Sequence, residues 1–437
     1  MTEQDVAWRA GRSAARSGWF PRRFSSRVGA LCALLALWPV GSSCQHKSAT
    51  EPTPAEHEVV IGGLFALTGN WTTVGRTGRA AMELAIEDVD KYLAGNAAGI
   101  RFVAAIEDTR LDPDTALAKA LVLKSKGAPL LIGPQSSSEV ERLKPFVDAN
   151  GILLVSPSST AGSLAIAGDN VFRFTPSDSL EGVAIAAMMW EDGRRTIIPV
   201  WRDDAGNAGL EKATRTAFTA LGGTVLTGMK YGASTTDFSA IARDLSNQVR
   251  AAAAGHDPAT VGVYLAAFDA DAVGLFSAAC DDTVLGSVHW YGSDGVARAE
   301  ALLGNRDAAD FATRVGYPNP VFGLVEGARD VWEPLSARIR ARANVEPDAF
   351  ALAVYDAVWV VARGYVASGA TLSIDQLKKA FTTAASTHFG ATGWTVLNEA
   401  GDRKYGDFDF WAVRTSGGAP QWTRVGQYET QTGRVVR

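Results

Sequence analysis

Residues 130–160, LLIGPQSSSEVERLKPFVDANGILLVSPSST, hold the plan of the whole chain in one short stretch. Leu130-Leu131-Ile132 is an apolar run that stops at Gly133-Pro134, and residues 152–155 form a second one that stops at Ser156-Pro157. Between them, residues 139–147 carry apolar side chains at helical spacing. Apolar runs this short, closed off by Gly and Pro, read as buried strands. A strand, a helix and a second strand of the same kind make a βαβ unit, which requires parallel strands covered by helices.

The same alternation continues on both sides. Strands are expected at 59–67, 100–106 and 171–174, with helices at 75–93 and 113–123. Near Thr175 to Ser179 the chain starts a second series. It opens with the apolar segment 180–190, then strands at 196–201, 224–230, 261–267 and 284–290. Its helices are expected at 209–221, 238–249 and 270–279, and a long one follows at 351–365. The segment from Phe389, rich in Gly and aromatic residues, is expected to cross back between the units. The fold class is therefore α/β: two Rossmann-like lobes with parallel sheets flanked by helices. In such sheets ligands bind beyond the carboxyl ends of the strands, so the residues just after each strand are the candidates for a site.

Those residues are chemically biased. Ser136, Ser137 and Ser138 follow one strand and lead into a helix, offering hydroxyls and free N–H groups to an anion; Ser137 or Ser138 could equally cap that helix. Ser158 and Thr160 follow the next strand in the same way. In the second unit Asp294 stands between Gly292 and Gly295, either to neutralise an ammonium or to cap a helix beginning at Val296. Phe268 supplies an apolar wall after the strand at 261–267, with Asp269 as a further acceptor, and Trp71 and Val74 can cover a ligand from the other unit.

The chain of 437 residues is long enough for two domains. Its first 44 residues stand apart. Six arginines precede Val28 to Val40, an uncharged run of thirteen residues that ends at Gly41-Ser42-Ser43-Cys44. At about 1.5 Å per residue such a helix falls well short of a hydrocarbon core of about 30 Å, so residues 1–43 read as an export signal. Cleavage before Cys44 would free it for acylation, with residues 44–57 as lipid anchor and flexible tether. The remaining 394 residues carry 36 basic and 45 acidic side chains, a balance that excludes a nucleic-acid footprint. Cys280 is the one cysteine beyond Cys44 and is expected to be a buried small hydrophobe without a disulfide partner.

Enzymatic signatures are missing. Gly62-Gly63 followed by Gly69 does not give dinucleotide spacing, and no Walker lysine occurs. His46, His57, His256, His289 and His388 show no zinc spacing and no nucleophile-elbow partner. Neither a cofactor nor a metal is expected, and catalysis is not.

IGGLFALTGNW (61–71), IEDTRLDPDTALAKA (106–120), LIGPQSSSEV (131–140), LLVSPSST (153–160), VFRFTPSDS (171–179), WYGSDG (290–295) and YDAVWVVA (355–362) occur in an order and spacing that resembles one family. It is that of the periplasmic binding proteins of branched-chain amino-acid ABC transporters, the Leu/Ile/Val-binding proteins of type I fold. The resemblance implies two lobes joined by a three-strand hinge, the first from 58–177 plus 300–395 and the second from 178–299 plus 396–437. It implies a monomer that captures a small solute, an amino acid or amide, and delivers it to an ABC permease from the periplasmic side. A sensor of the same fold is the alternative. By the same resemblance Ser136 or Ser137, Ser158 and Thr160 would hold a carboxylate, Asp294 an ammonium, and Phe268 the side chain. Where many members have Asp-Tyr-Gly, this chain has Asp204-Ala205-Gly206, which implies a roomier pocket on that side.

Overall fold

The computed structural model describes residues 57–95, 99–369 and 373–437. The expected signal (1–43), Cys44 and the tether as far as residue 56 lie outside the described residues. His57, assigned to the tether from sequence, is already the first residue of β1.

The chain begins with β1 (His57–Phe65), α1 (Thr72–Gly95), β2 (Ile100–Asp108), α2 (Pro113–Ser125), β3 (Leu130–Ile132), α3 (Ser137–Asn150), β4 (Leu153–Ser156) and β5 (Val171–Arg173). The strands form one parallel sheet in the order β2-β1-β3-β4-β5. Alternation within the short strands explains why the sheet has two covered faces. Leu130, Ile132, Leu153 and Val155 join one core, while Leu131 and Leu154 join another on the opposite side.

The second series is α4 (Asp178–Glu191), β6 (Thr196–Arg202), α5 (Ala205–Ala220), β7 (Thr224–Val225), β8 (Met229–Tyr231), α6 (Ser239–Gly255), β9 (Val261–Ala266), α7 (Asp269–Ala279) and β10 (His289–Tyr291). Its sheet runs β10-β9-β6-β7, with β8 also parallel to β6. Again Val261, Val263 and Leu265 face one core while Tyr264 and Ala266 face the other.

Then come α8 (Glu300–Gly304), α9 (Arg306–Val315), β11 (Asn319–Phe322), α10 (Arg329–Ala343), α11 (Ala349–Ala367), α12 (Ile374–Ser386), the small hairpin β12 (Phe389–Gly390) and β13 (Gly393–Trp394), β14 (Phe408–Ser416), β15 (Ala419–Glu429) and β16 (Arg434–Val436). Helix α11 is apolar and long enough to cross a membrane, but Leu352, Val354, Ala357, Val358 and Val361 are buried against α1 and the first sheet. It is the central helix of the first core.

The chain passes between the two bodies three times. Strands β11 and β14 pair antiparallel. The remaining passage, residues 174–177, is not a strand; its Pro176 lies against Gly406, and Arg173 on its edge bridges to Asp402. The expected three-strand hinge is thus two strands and one irregular segment. Leu302, Phe311 and Tyr317 pack in the second core, so α8 and α9 belong with the second sheet rather than with the first, where residues from 300 onward were expected.

Four local expectations fail. The single strand expected at 224–230 is split into β7 and β8. Residues 284–290 hold a 3₁₀ turn, Leu285–Ser287, before β10, because Asp282 draws the N–H groups of Val284 and Leu285 onto its carboxylate. No helix starts at Val296; a turn leads to Glu300 instead, with Arg298 at φ +62°. Cys280 sits past the end of α7 and is half-buried rather than buried.

Candidate functional site

The two sheets each reverse strand order once, between β1 and β3 in the first and between β6 and β9 in the second. Ligand crevices form at such reversals, outside the carboxyl ends of the strands. Both reversals border the same cleft. Ser136, Ser137, Ser158, Thr160 and Trp71 line it from the first body, and Phe268 and Asp294 from the second, joined by Gly206, Asn207 and Leu210 at the start of α5. Seven of the ten residues singled out from sequence are therefore brought together, while Val74, Ser138 and Asp269 do not line the cleft.

The loop after β3 is built tightly. Gly133 has φ +90°, and a Cβ there would lie 2.1 Å from the Leu64 carbonyl oxygen, so only glycine allows the close approach to β1. Gln135 then accepts from the Ala66 N–H at 2.9 Å. The helix cap falls on Ser136, not on Ser137 or Ser138: its N–H and hydroxyl both donate to Glu139 Oε2, at 3.0 and 2.6 Å.

Ser137 does something else. Its Oγ accepts the N–H groups of Thr160 and Ala161, at 3.2 and 3.1 Å, and lies 3.2 Å from Ser159 Oγ. Two strand-end loops are thereby tied through one hydroxyl oxygen. Ser158 donates to the Gln135 carbonyl at 3.0 Å. This end of the cleft is a cluster of amides and hydroxyls fit to receive an oxyanion.

The opposite end is acidic. Asp294 does not cap a helix; its N–H donates to Glu181 Oε1 at 3.2 Å. Burial, and then the neighbouring Asp178 charge, hold Asp294 well above the usual carboxylate range. Burial followed by the Asp294 and Asp178 charges does the same to Glu181. Asp178, one helical turn from Glu181 on α4, is pushed up to about 7 by burial, which the Thr160 hydroxyl and Arg173 offset only in part. The sequence reading missed both Asp178 and Glu181. Acids in a first helical turn are ordinary dipole partners, and only their near-complete burial, at 1% exposure each, marks them as different.

Three contacts close the two bodies over the cleft. The Trp71 N–H donates to Asp269 Oδ1 at 2.8 Å, the Ala270 N–H to Asn70 Oδ1 at 3.0 Å, and the Ala205 N–H to Ser138 Oγ at 3.1 Å. The indole of Trp71 packs on Phe268 with ring centroids 4.9 Å apart. The cleft leaves about 20 Å³ for the centre of a water molecule, so the roomier pocket expected at Ala205 is not found. With no side chain beyond Cβ at that position, the start of α5 meets the start of α3 directly.

A larger cavity, about 720 Å³, lies elsewhere, between α10 and the crossing strands, with Arg298, Trp332 and Trp411 in its walls. Of its charged groups, Glu346 pairs with Arg298 and Arg340, Asp409 with Arg424, and Glu326 and Glu333 with Arg329. None of the strand-end residues reaches it. The strand-order reversals point to the cleft rather than to this cavity as the candidate site.

Residues 58–417 match the family model described as periplasmic binding protein. An uncharacterized protein of Methanocaldococcus jannaschii, MJ1266, is 30% identical over 408 residues, covering 90% of this chain and 94% of its own length. The leucine-, isoleucine-, valine-, threonine- and alanine-binding protein of Pseudomonas aeruginosa is 26% identical over 349 residues, 79% of this chain and 86% of that protein. Among solved structures, a solute-binding protein of an R. palustris ABC transporter in complex with benzoate superposes with a TM-score of 0.68 at 17% identity. It covers 87% of this chain and 97% of that one.

Proposed function

We propose, since this chain belongs to the periplasmic binding protein family, that it captures an amino acid or a closely related small polar solute in the cleft and delivers it to an ABC permease. The observation that carries this reading is the polarity of the cleft. Amides and hydroxyls of the 136–138 and 158–161 loops stand at one end, and Asp294 stands at the other. A zwitterion with its charges a few ångströms apart matches both ends at once. A ligand oxygen bound at the first end would take over the N–H groups that Ser137 Oγ now accepts. Phe268 and Trp71 would cover its apolar part.

Capture of this kind involves no bond chemistry. A solute that touches both bodies favours the closed arrangement over any open one, by its differential affinity for the two. The protein acts as a monomer on the periplasmic side, exported by residues 1–43 and held at the membrane through acylated Cys44. Calorimetric titration with a panel of α-amino acids and matched carboxylic acids tests the proposal. Asp294→Asn is expected to weaken amino-acid binding by about 30- to 100-fold, the worth of a charge-assisted hydrogen bond. Unchanged affinity for every α-amino ligand would remove Asp294 from the ammonium role.

A further inference from the structure

An aromatic patch on the α1–α11 side of the first body takes no part in the cleft. Tyr92, in the last turn of α1, meets Trp359 of α11 with ring centroids 5.7 Å apart, and Tyr355 lies 6.4 Å from the same indole. A groove of about 430 Å³ joins them to Val331 of α10 and to Phe389 of the β12–β13 hairpin, and the Phe389 ring lies 5.3 Å from Trp394. Tyr92 is 57% exposed, Trp394 55%, Val331 42% and Phe389 41%. At roughly 150–250 Å² for a whole aromatic side chain, about 400 Å² of apolar surface faces solvent there. That is the size of a functional patch on a monomer, yet about half of what each partner of a stable dimer buries. Lys91 and Arg363 are exposed beside it, against Asp330, so the patch carries no strong charge of its own.

The chain enters the described residues on the same rim. The His57 N–H donates to the Gly99 carbonyl at 2.9 Å, Glu58 pairs with Arg101 at 3.0 Å, and Asp90, two residues before Tyr92, accepts the Phe102 N–H at 2.8 Å. The starts of β1 and β2 and the last turn of α1 are thereby held together. Residues 45–56 separate this rim from Cys44, and at about 3.5 Å each they reach no further than about 40 Å.

We propose that this patch seats the protein on a lipid bilayer, with its rings in the headgroup region beside the anchor at Cys44. The proposal rests on acylation of Cys44 and adds the face that the anchored protein turns to the membrane. Trp and Tyr suit that depth because each ring has an apolar body and a polar edge. A patch of this size binds weakly by itself. An anchor within about 40 Å keeps it close to the surface, so the second contact needs little affinity of its own. The near-balanced charge around the rings means that phosphatidylcholine suffices and no anionic lipid is required. None of the six side chains lines the cleft, so docking and solute capture are separable.

The test uses the exported protein purified with its anchor, with the state of Cys44 read by mass spectrometry, on vesicles of phosphatidylcholine with and without bromine on the acyl chains. Bromine quenches indoles that reach the chains. Tryptophan emission is expected to fall on the brominated vesicles, and Trp394→Ser to remove most of that fall. Tyr92→Ser and Phe389→Ser leave both indoles of the patch in place and are expected to lower the quenching by about twofold or more. All three sites are at least 41% exposed, so the fold is not at stake. Full quenching in Tyr92→Ser and Phe389→Ser overturns the patch as the docking face. An acylated protein that shows no quenching overturns the bilayer as occupant and leaves the surface to a protein partner. A dimer in vesicle-free sedimentation that Trp394→Ser dissociates assigns it to a second copy instead. An unmodified Cys44 removes the anchor and the proposal with it, while capture, read by titrating the same sample, stands or falls separately.

Discussion

Arg173 and Asp402 at the crossing between the bodies are buried as completely as Asp178 and Glu181 beside the cleft, yet the two regions handle charge in opposite ways. At the crossing every charge has a fixed partner. Arg173 grips Asp402 through two nitrogens and donates to the Ala161 carbonyl at 2.7 Å, while Arg403 bonds Thr392, whose N–H and hydroxyl are held by Asp356. Beside the cleft Asp178 has no hydrogen-bond partner at either oxygen, and Glu181 accepts only the Asp294 N–H among the described residues. A fully paired buried ion pair fixes geometry and leaves nothing over for a ligand. A set of buried acids without a cation is destabilising by itself, and it is relieved only by protons or by an incoming positive charge.

The largest effect should come from breaking the paired side. Asp402→Ala leaves the Arg173 guanidinium buried without its partner and is expected to cost about 3–5 kcal/mol, read as a lower urea midpoint. The 158–161 loop, which Arg173 braces through Ala161, would lose its fixed position as well. A midpoint equal to wild type would mean that the crossing is not held by this pair.

Removing an acid from the cleft should do the reverse. Because the folded pKa of Asp178 lies above its unfolded value, both states hold the proton below pH 4. Between pH 4 and about 7 only the unfolded state releases it, so stability falls across that window. Asp178→Asn is therefore expected to stabilise the protein by about 2 kcal/mol at pH 8 and by nothing at pH 4, after allowance for a buried amide of its own. Thermal melts at the two pH values check this, and a loss of stability at pH 8 would contradict it.

The smallest effect belongs to the contact between the bodies. Ser138→Ala removes the acceptor for the Ala205 N–H, worth about 1 kcal/mol, and should weaken any solute that requires closure by about fivefold while leaving the urea midpoint unchanged. Equal affinity in calorimetry would show that closure does not depend on this contact.

These regions differ in how far the sequence reveals them. The strand run Leu130 to Ile132 and the serines after it are legible because a buried parallel strand and its exit loop are local patterns. The partners of those serines are not: that Ser137 accepts from Thr160 and Ala161 depends on two loops meeting, and that Ser136 caps depends on Glu139 folding back. Glu181 and Asp178 are hidden for a related reason, since acids at a helix start look the same whether they face water or a core. The antiparallel pair β14 and β15 escapes a reading tuned to βαβ alternation. Its alternating Phe408, Phe410 and Ala412 belong to a strand that is paired from its first residue, with β11 on one side and β15 on the other.

Trp71 adds an optical consequence to the closed cleft. It is a non-glycine residue at φ +63°, only 3% exposed, held by Asp269 through its backbone N–H and packed at a tilt on Phe268 of the opposite body. Any parting of the bodies takes its indole from an aromatic contact into water, which shifts tryptophan emission to longer wavelength. The protein therefore carries its own reporter of occupancy, and comparing it with a Trp71→Phe variant would isolate that signal from the other eleven tryptophans.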